Sequence, residues 1–208
     1  APFVMQLAMS LVGIAQNHSL NTYGGDTAVS AMGIVYSIMI VFFMPLQGIT
    51  QGSQPIIGYN YGAKKYDRVI KTYKWEVIAG TVFITLGWIL IQIFPNLFIS
   101  FFHKEEDALT EMSIHCLRVS TMLFPVIAFQ MFTAQYFQAI GKPIQSTILS
   151  LSRQLLFYIP ILLLLPKKFG LNGVFFAAPS GDILSLILSV FFMVFELKRL
   201  AKLKLCKG

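Results

Sequence analysis

Long apolar runs parted by short polar or glycine- and proline-bearing breaks set the pattern of this chain. Six of them extend over residues 2–23, 27–63, 75–102, 108–140, 143–165 and 171–199. A helix needs ~20 apolar residues to cover the hydrocarbon core of a bilayer, so each run is long enough to span it. The breaks carry matching turn chemistry. Gly24 and Gly25 part the first run from the second, and Asp26 is placed to cap the second. Gly141 is placed as a C-cap, with Pro143 opening the next helix. The second run is too long for one straight span, and Pro45 and Pro55 are expected to bend or interrupt it. The pattern predicts an all-α membrane protein, a six-transmembrane-helix bundle over residues 1–208 with a basic tail at 200–208.

Composition agrees with that reading. Hydrophobic residues make up 56% and charged residues only 12%, whereas soluble domains carry about 25% charged residues. Mean hydropathy is +0.70. The net charge of +7 could suggest nucleic acid, but the lysines flank apolar runs, where anionic lipid headgroups account for them. The two cysteines, Cys116 and Cys206, fall toward opposite faces of the predicted bundle, too far apart for a disulfide. No cysteine–histidine spacing resembles a metal site. The chain begins at Ala1, without methionine or the basic n-region of a signal peptide, and reads as part of something longer.

Charge asymmetry sets the orientation. Eleven of the sixteen basic residues fall on one side: Lys64, Lys65, Arg68, Lys71 and Lys74, then Lys142, then Lys198, Arg199, Lys202, Lys204 and Lys207. The other side holds Lys104, Lys167 and Lys168. The positive-inside rule then places both ends in the cytoplasm of a multi-pass protein of the plasma or inner membrane. The acidic stretch at 103–111 reads as a solvated loop leading into a helix with acidic first-turn residues.

Polar residues inside the runs are the candidate chemistry. Gln6, Ser10 and Asn17 recur at helical spacing in the first run, and Gln47, Gln51 and Gln54 share a face of the second. Carboxamides and prolines at such depth are tolerated where protein or a water-filled cavity satisfies them. With Phe129, Met131, Phe132 and Gln135 of the fourth run, they are the expected lining of a substrate cavity. Aromatic and methionine side chains there suit unlike organic cations; the plainer alternative is that part of the set is ordinary helix packing. Arg153 lies ten residues after Pro143, and Asp182 eleven after Leu171 from the opposite side. At ~1.5 Å per residue both come to ~15 Å depth, near the bilayer midplane. An isolated charge there costs roughly 2.5–3.5 kcal/mol, so the two are expected to pair.

Four segments are specific enough to name a family: SLNTYGGDTAVSAMGI at 19–34, QGSQPIIGYNYGAKKYDRV at 51–69, QYFQAIGKP at 135–143 and SRQLLFYIPILLLLP at 152–166. With them the whole chain resembles the carboxy-terminal lobe, helices seven to twelve, of a multidrug and toxic compound extrusion (MATE) transporter of the bacterial DinF-like and MepA-like branch. The resemblance implies a twelve-helix protein of two lobes. It implies export of cationic amphipathic drugs in exchange for protons or sodium ions by alternating access. The implied partners are the amino-terminal lobe, small cationic drugs and membrane lipids; no cofactor is implied. Some members bind a coupling cation in this lobe through two carboxylates, and the matching positions here hold Ser10 and Phe129 or Gln130. The resemblance therefore implies that the coupling ion is bound outside this chain.

Two other readings compete. A lipid-linked oligosaccharide flippase shares the two-lobe plan but calls for cationic residues lining the cavity, and apart from Lys198 and Arg199 at the end of the sixth run only Arg118 and Arg153 lie within the runs. An intramembrane enzyme would need paired aspartates or an HExxH helix. The runs offer Asp182 alone, with the histidines isolated at 18, 103 and 115.

Overall fold

The computed structural model describes residues 2–105 and 107–205. Glu106, Cys206 and Lys207 lie outside the described residues. Within them every regular element is helical.

The first helix, α1 (Pro2–Gly62), departs from helical geometry at Gly25, with φ 65° and ψ −164°. Only glycine adopts that conformation without strain. The Tyr36 hydroxyl donates to Gln16 Oε1. On one unbroken helix those residues would stand ~30 Å apart, so residues 26–62 fold back beside 2–24 and α1 is a helical hairpin. The expected interruption at Pro45 and Pro55 does not occur, because the helix continues through both. Between the two prolines, hydroxyls bond back to carbonyls of their own helix. Thr50 donates to the Leu46 carbonyl at 2.8 Å, and Ser53 to the Thr50 carbonyl at 3.1 Å.

Helix α2 (Tyr66–Ile93) begins well before Trp75, so Arg68, Lys71 and Lys74 sit on a helix and only Lys64 and Lys65 remain in the connection before it. Lysine and arginine are good helix formers. The segment is amphipathic, with Val69 and Tyr73 buried and Arg68, Lys71 and Lys74 exposed. Pro95 ends α2 and opens the short α3 (Pro95–Ser100). The fourth run is also not one helix. It divides into α4 (Ala108–Ser120) and α5 (Phe124–Ala139), bent by 53°. Pro125, in the first turn of α5, lacks the N–H that a continuous helix would need and crowds the backbone before it.

The fifth run is α6 (Pro143–Leu151), a π-helical stretch (Ser152–Tyr158) and α7 (Ile159–Phe169). Pro160 follows the π turns directly and cannot donate to the carbonyl four residues back, which favours the wider local winding. Helix α8 (Leu171–Leu205) continues beyond the expected Arg199.

Three stretches are long and apolar enough to cross a membrane, Gln6–Gly62, Tyr66–Ile93 and Pro143–Phe169, and the bent α4–α5 pair makes a fourth. The apolar surface matches that solvent: Ile78, Val82, Leu86, Leu90 and Ile93 stand exposed along α2, a row that water would not tolerate.

Helix α5 is central, packed on α1, α2, α6 and α8. Phe124, Phe132, Tyr136 and Phe137 fill the core from it. Gly80 of α2 lets Phe132 come so close that an added Cβ would lie 2.1 Å from its ring.

Candidate functional site

The polar face of α1 is open. Gln6, Ser10, Asn17, Gln47 and Gln51 are exposed and Gln54 is partly so. Since residue 16 meets residue 36, the hairpin carries Gln6 to about the height of Gln47. The two glutamine-bearing limbs thus present polar side chains at similar depth. Ser10 turns its hydroxyl back to the Gln6 carbonyl at 3.1 Å.

The α5 candidates divide. Gln135 is half-buried, while Phe129 and Met131 are half-buried and packed on the core. Phe132 is 0% exposed against Gly80. It is a core residue, not a wall of any cavity, because the side chain points to α2 and the glycine there leaves it room.

Arg153 and Asp182 meet. Arg153 sits in the π-helical stretch, and its Nε donates to Asp182 Oδ1 of α8 at 2.8 Å. Asp182 is buried and Arg153 half-buried. Gln130 of α5 donates Nε2 to the Asp182 backbone carbonyl at 2.7 Å. Three elements therefore converge on one aspartate. Arg118 does not join them; its Nη2 donates to the Gln92 carbonyl at 3.4 Å, closing α4 on the end of α2.

The basic ends of several helices gather in one place. Lys142, before α6, pairs with Glu196 Oε2 of α8. Arg199 Nη1 lies 3.6 Å from the same oxygen, and Tyr61 at the end of α1 adjoins Arg199. Two buried glutamates were not among the sequence candidates. One is Glu196. The other is Glu76 of α2, 4% exposed, which faces Ser53 of α1 while its Oε2 makes no hydrogen bond among the described residues. A carboxylate one position past Trp75 in an apolar run was the available signal.

At the opposite end, His103 is not isolated: its Nε2 lies 3.1 Å from Asp107 Oδ1. Ligand atoms of His103, Glu105 and Asp107 lie within 4.8 Å of one another, on an exposed loop. Asp107 already caps α4, accepting from the Leu109 and Thr110 N–H groups at 3.0 and 3.1 Å. The Thr110 bond, with His103 beside it, holds the carboxyl below the usual carboxylate range. These contacts account for the loop as a helix cap.

The MatE family profile matches residues 2–164. The chain is similar to the multidrug export protein MepA of Staphylococcus haemolyticus, with 25% identity over 198 residues, covering 94% of this chain and 42% of that protein. It spans less than half the length of the curated relatives it matches. Among solved structures it resembles an outward-facing multidrug resistance MATE family transporter of the MOP superfamily. The TM-score is 0.85 at 21% identity, over 97% of this chain and 45% of that one. An inward-facing conformation of such a transporter matches with TM-score 0.85 at 21% identity, over 98% of this chain and 47% of that one.

Proposed function

This chain belongs to the MatE family, and on that premise we propose that it is the carboxy-terminal lobe of a two-lobe multidrug exporter. The whole protein exports cationic amphipathic compounds by antiport against protons or sodium ions. The observation that carries the mechanism is the equal fit to outward- and inward-facing relatives. A lobe with the same fold in both states moves as a body, so access alternates by rocking against a partner lobe. The open polar face of the α1 hairpin is half of the cavity between the lobes, completed by the amino-terminal lobe.

The coupling ion binds outside this chain. Asp182 is engaged by Arg153, and a carboxylate held by a guanidinium serves structure better than ion exchange. The same pairing weighs against the flippase reading, since Arg153 is not free to meet a pyrophosphate. Members of this family are transporters, not enzymes.

The test is ethidium efflux by the full-length transporter in proteoliposomes. Efflux should follow an imposed proton or sodium gradient and stop when both are collapsed; efflux that survives their collapse would refute antiport. Gln47→Ala and Gln51→Ala should change the ranking of exported drugs. Equal loss for every drug would assign these glutamines to packing.

A further inference from the structure

We propose that the basic end of this lobe holds a binding site for the phosphodiester of a membrane phospholipid, its acyl chain lying along α8. A pocket of about 320 Å³ opens there between α5, α6 and α8. Its polar side is Lys142, Gln145, Glu196 and Arg199, and its apolar side is a group of phenylalanines including Phe191 and Phe195.

The charges leave room for one anion. Glu196 is 4% exposed and directs Oε2 to Lys142. Arg199 Nη1, at 3.6 Å from that oxygen, is beyond hydrogen-bond distance. Half of the Arg199 side chain is exposed; one of its contacts is the Tyr61 hydroxyl, and a guanidinium has five N–H donors to share. Two cations against one carboxylate leave a single positive charge, which matches a singly charged phosphodiester. Guanidinium with a neighbouring ammonium and amide is apt chemistry for phosphate oxygens. The same excess repels a drug cation, although the pocket is aromatic. Lys142 already occupies the cation position, 5.8 Å from the Phe137 ring centre.

The apolar side fits a lipid chain better than a free anion. Ile187, Phe191 and Phe195 are 63%, 58% and 64% exposed and follow one another at four-residue steps, with Arg199 the next step on. They form a stripe on one helix face. From Ile187 to Arg199 it runs ~18 Å at 1.5 Å per residue, the reach of an acyl chain. It ends at the guanidinium, where the headgroup of a lipid in the adjoining leaflet would stand.

The experiment is native mass spectrometry of the full-length protein. It is delipidated in detergent and titrated with dioleoyl-phosphatidylglycerol, with phosphate-free dioleoylglycerol, or with sodium phosphate. The unmodified protein should retain the phospholipid at one site. Arg199→Gln should weaken retention about tenfold, as loss of a charge-assisted contact does. Phe195→Ala should weaken it without altering headgroup preference, and Lys168→Gln at the far end should leave it unchanged. Both pocket variants change exposed side chains, and their apparent Tm in detergent reports that they remain folded. Equal retention by Arg199→Gln would overturn the proposal. So would equal binding of dioleoylglycerol, which would mean an apolar groove alone, or full competition by sodium phosphate, which would mean a free-anion site. Failure of any lipid to bind would overturn it as well.

Discussion

Arg153 and Asp182 show what a sequence can and cannot say about one residue. Rise per residue along two antiparallel helices puts both at one depth, and that much needs only Pro143 and Leu171 as starting points. The contact by Arg153 Nε and the contribution of Gln130 depend on the π winding of residues 152–158 and on α5 packing beside α8. Neither leaves a periodic trace in the sequence. Glu196 and Lys142 were unreadable as a pair for the same reason, since their partnership arises where a turn between helices meets the end of a third. Phe132 looked like its neighbours Phe129 and Met131 until Gly80 came opposite it. For the buried pair, Asp182→Asn or Arg153→Gln alone leaves an uncompensated group. Either should cost toward the lower end of roughly 3–5 kcal/mol, because a third of the arginine side chain is exposed. The double variant should be more stable than the sum of the two losses implies. Unfolding midpoints of the full-length protein in detergent give the comparison, and strict additivity would mean the pair is not coupled.

Among the elements, hydrophobic run length located the helical stretches and their order but not how they divide, and proline behaviour set much of the difference. Pro95 and Pro143 end or begin helices, α1 runs on through Pro45 and Pro55, and Pro125 accompanies a 53° bend. What a proline does depends on how its surroundings accommodate the backbone it disrupts, which is a tertiary fact. The contact of α2 with α5 is the tightest test of packing between elements. Gly80→Ala would place a methyl within 2.1 Å of the Phe132 ring, and forcing α2 and α5 apart should cost about 1–3 kcal/mol. Phe132→Leu added to Gly80→Ala should recover part of that loss. A double variant no better than Gly80→Ala, by thermal unfolding in detergent, would show that the close approach is not what makes glycine necessary.

For the molecule as a whole, the gathering of Tyr61, Lys142, Glu196 and Arg199 puts three basic segments at one end. With the positive-inside rule, that end is expected in the cytoplasm. In a cysteine-free full-length protein, single cysteines at Lys65, Lys142 and Lys202 should resist an impermeant thiol reagent added outside intact cells. Those at Asp26, Lys104 and Lys167 should react, and the reverse pattern would invert the orientation. The same end also holds the overhang of the α1 hairpin. Its second limb, residues 26–62, is helical throughout and ~55 Å long, against ~30 Å of hydrocarbon. No ordinary tilt absorbs that difference, so the limb stands well clear of the lipid, with the basic start of α2 descending beside it. A thicker or thinner membrane then alters how far this stalk projects and leaves the hairpin intact, so the lobe meets no sharp penalty for hydrophobic mismatch along its longest helix.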